Sequence, residues 1–297
     1  MSTLTRTRRE RPTTTTPTPR RRGTFPIGKV LGYLTLIVFA IIYIYPFLIQ
    51  IATSVKTNQD ATQTPLSLVP NPFTTTAFDR LLDTDFPLWF FNSATVAIIV
   101  TAGRVFFDSL AGYALARIKF RGRSALFTGL LAVMAVPGVV LLIPKFLVLN
   151  QIGMYDTHPA LWMPLLADAA GVFIMKQFFE SVNPSIEEAA RIDGAGTFRI
   201  FWSVVLPMAK PALITLTILS FQGSWNELSH FIVATQSTDL FTLTKGVASL
   251  TSGQLGSGNQ FPITMGAALL MTIPVAIVFI VFQKKFVAGA NEGGVKG

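Results

Sequence analysis

The chain has no cysteine, only two histidines in 297 residues, and a charged fraction of just 13%. Without cysteine there is no disulfide, no iron–sulfur cluster and no thiolate zinc site, and nothing about compartment follows. His158 and His230 lie far apart and show no metal-ligand spacing, which argues against histidine-based metal catalysis. No acid–base–nucleophile constellation of a membrane enzyme is visible either. A nucleotide site is also missing. Gly23 to Lys29 has the glycine and lysine spacing of a P-loop, but Val30 stands where a magnesium-binding Ser or Thr is needed and Pro26 sits in the loop. A soluble domain carries roughly 25% charged residues. Here apolar residues take their place, at 51% of the chain.

A hydrocarbon core about 30 Å thick needs about 20 apolar residues per helix. Six segments meet that need: Val30–Ile51, Phe91–Leu115, Ala125–Leu149, Pro159–Phe179, Pro207–Trp225 and Phe261–Phe282. The expected fold is all-α, a polytopic membrane protein of six transmembrane helices. Arginines and lysines then decide its orientation. The basic tail, Arg117, Lys119, Arg121, Arg123, Lys176, Arg191, Arg199, Lys284, Lys285 and Lys296 fall on one side of this topology. Lys56, Arg80 and Lys245 are nearly all the other side offers. The positive-inside rule is expected to put both termini and the Glu188 loop in the cytoplasm.

The net charge of +9 follows topology, so nucleic acid is not an expected partner. Residues 1–29 read as a disordered basic tail held by anionic lipid headgroups, with Arg6, Arg8, Arg9, Arg11, Arg20, Arg21 and Arg22 spaced by Thr and Pro. Its prolines spoil the amphipathic helix of a transit peptide, and the first apolar run is too long for a signal peptide. Residues 30–88 form a first span and an outer loop, 89–286 a core containing a cytoplasmic loop at 180–207, and 287–297 a cytoplasmic tail. The outer segment from Lys56 to Leu88 offers a surface to a soluble partner. The segment from Glu227 to Gln260 reads as a flexible connection carrying Gly253, Gly256 and Gly258.

The cytoplasmic loop holds the most informative residues. Asn183 and Pro184 read as an N-cap and first helical position, Glu187 and Glu188 favour the positive end of the helix dipole, and Gly194 suits a left-handed cap. Ile186, Ala189 and Ala190 share one face, with alanines small enough to admit another backbone. Phe198, Phe201, Trp202 and Val205 then form an i, i+3, i+4, i+7 stripe expected to face a neighbouring span. Pro207 is placed to start or kink the fifth span.

Glu188-Ala189-Ala190, three residues, Gly194, nine residues, then Val204-Val205-Leu206-Pro207 resembles the EAA loop of ABC importer permeases, with valine where isoleucine is usual. Gly112-Tyr113-Ala114-Leu115-Ala116-Arg117, Phe120 to Arg123, Ile143-Pro144, Lys176 to Phe179, Ser224 to Glu227 and the ending Gly293-Gly294-Val295-Lys296-Gly297 are similar to the maltose-type carbohydrate importers, specifically their second permease subunit. The resemblance runs from Val30 onward. It implies a type I importer fold and a multi-pass transport subunit of the bacterial inner membrane that is not itself an enzyme. The implied partners are a second permease, an ABC ATPase homodimer that binds ATP and magnesium, and an extracytoplasmic sugar-binding protein; this chain needs no cofactor of its own. It also implies that Glu187, Glu188, Ala189, Ala190, Asp193, Gly194, Leu206 and Pro207 dock the ATPase, while Gly293 to Gly297 reach the ATPase dimer interface. ATP would close that dimer, move the docking helices together and open the spans outward.

Arg104, Asp108 and Asp168 fall near the middle of spans, where the resemblance implies small or apolar residues. Ionisable groups at that depth should face protein or water. Arg104 and Asp108 are spaced to pair on one helix face, with Asp168 bonded to a neighbouring helix. Alternatively they line a cavity and bind sugar hydroxyls, joined by Trp225, Asn226 and Glu227 near the end of the fifth span. Trp225 could stack on a sugar ring or serve as an interfacial belt residue. Two other readings stay open. The solute could be glycerol-3-phosphate or a related polar molecule, or the chain could be an ion-coupled secondary transporter using Asp108 and Asp168.

Overall fold

The computed structural model describes residues 27–251 and 260–293. Contacts divide the chain into two compact units, residues 1–47 and 48–297. Helix α1, Ile27–Ser54, begins in the first unit, where Val30 through Tyr45 present large apolar side chains that remain exposed. A helix apolar on every side has lipid or another protein as its solvent.

Among its described residues, the regular secondary structure of the second unit is all helical. Two short helices, α2 (Asn58–Gln63) and α3 (Thr76–Leu82), precede the long α4 (Phe86–Arg117). Then come α5 (Arg123–Met134), a 3₁₀ turn at Gly138–Leu141, α6 (Leu142–Gln151), α7 (His158–Trp162), a second 3₁₀ turn at Met163–Leu165, and α8 (Ala169–Ser181). The short α9 (Pro184–Ile192) and α10 (Thr197–Ile200) lead through a π-turn at Phe201–Val205 to α11 (Leu206–Met208) and α12 (Lys210–Trp225). The chain closes with α13 (Ser229–Ala234), a 3₁₀ turn, α14 (Leu243–Thr251) and α15 (Phe261–Gly293). Four helical segments are long and apolar enough to cross a membrane, and two bent pairs bring the total to six.

The third and fifth spans expected from hydropathy are each sharply bent. Between Arg123–Met134 and Gly138–Gln151 the axis turns by 101°. Pro137 explains the break, because it disfavours helical geometry in the residue before it. The fifth span turns by 81° between Thr197–Met208 and Lys210–Trp225. Pro211 has no N–H to donate and its ring clashes with the carbonyl four residues back, so the helix restarts after Ala209 rather than at Pro207. The fourth span is interrupted too, where Pro164 enters a 3₁₀ turn and Asp168 adopts extended geometry.

α4 is the hub and packs along α8 and α12. At Gly112 the approach is so close that an added Cβ would stand 2.7 Å from the Met175 Cβ, so glycine is required there. Two apolar cores flank the hub. One gathers Trp89, Ala97, Trp225, Leu243 and Ile263; the other gathers Tyr113, Met175, Phe179, Ile200, Phe201 and Val205.

The connections are more ordered than expected. The Lys56 ammonium is buried and donates to the carbonyls of Thr64 (2.7 Å) and Ser67 (2.8 Å), while Asp60 accepts from the Asn71 amide at 2.9 Å. Residues 227–251, expected to be a flexible connection, instead form α13 and α14, with His230, Phe231, Leu243 and Val247 buried. Gly253, Gly256 and Gly258 lie outside the described residues.

Asp156 staples the connection before α7 to the segment after α13. Its carboxylate accepts from the Gln236 amide (2.7 Å), the Ser237 amide (2.9 Å) and the Ser237 hydroxyl (2.5 Å). These bonds, the Ser237 hydroxyl first, hold the Asp156 carboxyl below its usual value of 3.8. A depressed carboxylate contributes stability above its unfolded pKa and loses it as pH falls through the folded one. The staple is therefore expected to hold above the ordinary carboxylate pKa and to loosen as pH falls below it. Limited proteolysis with an acid-active protease should show residues 154–157 protected only at the higher pH, and Asp156→Asn should lack that difference.

Candidate functional site

α9 is built by local rules. The Asn183 side chain caps it by accepting from the Ser185 amide at 3.1 Å, Pro184 occupies the first position, and Gly194 follows its end at φ 79°. L-residues with a side chain strain in that left-handed region, so glycine ends the helix without cost. Its two adjacent carboxylates have opposite fates. Glu188 is exposed, with Ala189 and Asp193 beside it, and Ile192 stands 87% exposed at the tip. Glu187 turns inward and is 3% exposed. Ala190 is half-buried against the Tyr113–Phe179 core.

The last turn of α4 receives Glu187. Tyr113 donates its hydroxyl to Glu187 Oε2 at 3.1 Å, and Arg117 Nε lies 3.0 Å from Oε1. That contact is an ion pair without hydrogen-bond alignment, since neither atom has a directional partner. Arg191, more exposed, adds a weaker pairing at 3.8 Å. Arg117 also donates through Nη2 to the carbonyl of Val182, in the connection between α8 and α9. A second charged group lies nearby. Lys176 pairs with Glu180 at 2.7 Å and sits 4.0 Å above the Phe127 ring, while Arg123 reaches Glu180 at 3.6 Å. Nothing in the spacing of Tyr113 and Arg117 pointed to Glu187, which lies 70 or more residues further along the chain.

The apolar stripe expected at Phe198, Phe201, Trp202 and Val205 is divided. Phe201 and Val205 are buried, whereas Phe198 (70% exposed) and Trp202 (51% exposed) stack on each other at the surface. The π-turn over Phe201–Val205 winds the chain differently from an α-helix, so the four residues no longer share one face. Leu206 is half-buried at the core edge and Pro207 is exposed. Together with Ile192, the stacked pair leaves apolar area uncovered on the segment that carries Glu188.

Arg104, Asp108 and Asp168 meet at the interruption of the fourth span. The structure does not pair Arg104 with Asp108: no ion pair joins them among the described residues. Instead each tends one side of the break. Arg104 Nε donates to the Leu165 carbonyl at 2.8 Å, and Asp108 Oδ1 accepts from the Asp168 amide at 3.0 Å. Asp168 itself caps α8, accepting from the Gly171 amide at 3.3 Å. Asp108 is fully buried, with its Oδ2 against Gly171, where an added Cβ would stand 2.0 Å away. A broken helix leaves backbone groups without partners, and in a lipid-filled surrounding each costs several kcal/mol. One turn of α4 thus supplies both a donor and an acceptor to the break.

The other expected path residues are not brought to this place. Trp225 is 2% exposed, donates its indole N–H to the Met271 carbonyl at 3.1 Å, and stacks on Phe221. It belongs to the apolar core, neither a free stacking platform nor a belt residue. Glu227 accepts from the His230 amide at 2.8 Å, and Asn226 is exposed after the end of α12. Gly293 ends α15, and Gly294, Val295, Lys296 and Gly297 lie outside the described residues, as does the basic tail before Ile27.

Residues 108–290 match the family described as binding-protein-dependent transport system inner membrane component. The arabinooligosaccharides transport system permease protein of Halalkalibacterium halodurans is 31% identical over 281 residues, spanning 93% of this chain and 100% of the relative. The sn-glycerol-3-phosphate transport system permease protein of Yersinia enterocolitica is 29% identical over 264 residues, or 86% of this chain and 94% of that protein. Among solved structures, a chain from a bacterial ABC transporter involved in the import of the acidic polysaccharide alginate superposes with a TM-score of 0.76. It is 26% identical, with 91% of this chain and 99% of that chain covered.

Proposed function

The chain belongs to the binding-protein-dependent transport system inner membrane components, and from that premise we propose that it carries a di- or oligosaccharide into the cell as the second permease of an ATP-driven importer. It is a transport subunit and not itself an enzyme. ATP and magnesium belong to a partner ATPase homodimer, solute is delivered by an extracytoplasmic binding protein, and a second permease supplies the other half of the pathway. The asymmetry of basic residues places both termini and α9 in the cytoplasm.

The observation that carries the docking reading is the outward presentation of α9. Glu188, Ala189 and Asp193 are exposed on a rigidly capped helix, and Ile192, Phe198 and Trp202 leave apolar area beside them. Exposed large apolar residues grouped on one segment mark a protein interface or a membrane surface. Rigid helices that rotate between two packed arrangements then convert ATPase closure into alternating access.

The saccharide reading draws on the arabinooligosaccharide relative and the alginate importer. Glycerol-3-phosphate is the second reading, favoured by the Yersinia relative. A phosphate would want clustered cations at mid-membrane, and Arg104 alone meets that need in this chain. Purification of the chain from native membranes, tagged at its N-terminus, should recover an ABC ATPase and a second permease. Proteoliposomes of that complex, given its binding protein, should take up labelled oligosaccharide only with internal ATP. Recovery of the chain alone, with uptake driven by an ion gradient, would replace this reading with a secondary transporter centred on Asp108 and Asp168.

A further inference from the structure

α9 is joined to its chain neighbours by short links. Val182 and Asn183 connect it to α8, and Asp193-Gly194-Ala195-Gly196 connects it to α10. The second link is a hydrogen-bonded cap, with the Ala195 amide donating to the Ala190 carbonyl at 3.0 Å, and it ties α9 to the chain that follows rather than to α4. A lever fixed only by such links would not pass a push from the ATPase to α4. The structure offers a direct route, through side chains, to that helix distant in sequence.

That route is the Glu187 carboxylate. It is buried, and it receives Tyr113 and Arg117 from the last turns of α4, while the same Arg117 guanidinium holds the Val182 carbonyl. One arginine therefore grips both α9 and its connection to α8. α4 then continues past Gly112, packed closely on Met175, to Asp108 and Arg104 at the break of the fourth span. From Arg117 to Asp108 the helix rises about 14 Å, at about 1.5 Å per residue. A displacement of α9 that moves the end of α4 is thus delivered to the interruption of the fourth span by one continuous helix.

We infer that Glu187 and Arg117 are positioning residues that lock α9 to α4, so that Glu188 and Ile192 face the ATPase while Glu187 passes its motion into the membrane. The inference rests on the docking reading and divides its two carboxylates between two tasks. Glu187 is then not itself an ATPase contact. Arg117 gives the lock its geometry, because a planar guanidinium can address a carboxylate and a carbonyl together where an ammonium is a point charge. Without this lock the ATPase dimer would still bind and hydrolyse ATP, but α9 would move without carrying α4.

The test uses the complete importer in proteoliposomes, with the ATPase and second permease that co-purify with the native chain. Three variants are compared: Glu187→Gln, Arg117→Lys and Tyr113→Phe. ATPase recovery reads docking, and solute imported per ATP reads coupling. Recovery should stay at the native ratio in all three, while solute per ATP falls about tenfold in Glu187→Gln, within the usual span of coupling free energies. Tyr113→Phe, which removes one hydroxyl, should show a smaller fall in the same ratio and guards against a Glu187→Gln chain that fails to fold. The absence of cysteine allows a second readout. Spin labels at Ser185→Cys and Lys119→Cys, both exposed, should give one narrow distance with and without ATP, and a broad one in the Glu187→Gln background. Loss of the ATPase from Glu187→Gln would make Glu187 a docking contact and overturn the inference. An unchanged solute-to-ATP ratio or an unchanged distance would overturn it too. Absence of any ATPase from the native complex would instead sink the docking reading beneath it.

Discussion

Asp108→Ala is expected to destabilise the folded chain by about 1–3 kcal/mol, the usual cost of leaving a buried donor without its acceptor. Asp108 is fully buried and supplies the acceptor for the Asp168 amide, at the point where the fourth span has no helical partner to offer. Alanine would leave that N–H unsatisfied, while Arg104 keeps its own bond to the Leu165 carbonyl. The expected result is a large drop in the thermal midpoint of the detergent-solubilised chain, followed by size-exclusion after heating. Asp108→Asn is the informative companion. It keeps the Oδ1 acceptor but places an amide nitrogen where Oδ2 meets Gly171. A small effect for asparagine would assign the stabilisation to the hydrogen bond across the break. An effect as large as alanine's would assign it to the charge. Retention of native stability by Asp108→Ala would defeat the account of the break given above.

The second large effect concerns the outer side of α9. Glu188→Lys combined with Ile192→Asp is expected to abolish ATPase co-purification and to lower uptake by more than about a hundredfold, because central anchors of an interface each cost 2 kcal/mol or more and every 1.4 kcal/mol is tenfold. Both residues are exposed, and among the described residues the side chain of neither makes a hydrogen bond or ion pair; Ile192 is the most exposed of the described large apolar residues. The chain itself should therefore fold and reach the membrane in normal amount, with the second permease still bound. That combination separates a docking defect from a folding defect. Native recovery of the ATPase would move the interface elsewhere, with the Phe198–Trp202 surface as the next place to probe.

Much of α9 was legible because its determinants are local. An N-cap at Asn183, proline next, and glycine after the last turn are rules that act over a few residues, and each holds in the structure. The division of labour between Glu187 and Glu188 was not legible. Both sit in one turn, and only the arrival of Tyr113 and Arg117 from another helix decides which one is buried. The same applies to Arg104 and Asp108. Their i, i+4 spacing suggested a pair, but the orphan carbonyl and amide of the broken span compete better for each of them. Hydropathy counted six spans, and the sequence placed a start or kink only at Pro207, since averaging over a window erases a single Pro137 or Pro211. Trp225 was read from its place at the end of a span, whereas Phe90, Phe221 and the Met271 carbonyl enclose it from other elements.

The bend in the third span makes bilayer thickness a variable for this protein. α5 has 12 residues, about 18 Å of helix, which is short of a hydrocarbon core about 30 Å thick. After the 101° turn, α6 carries the chain at a steep angle to α5, with Ile143, Leu147 and Val148 exposed along it. A thicker bilayer would strain such a segment at a modest cost per ångström, relieved by local thinning or by a protein neighbour covering the gap. Transport in vesicles of graded acyl-chain length would therefore pass through an optimum, and the host membrane's lipids become part of the machine's calibration.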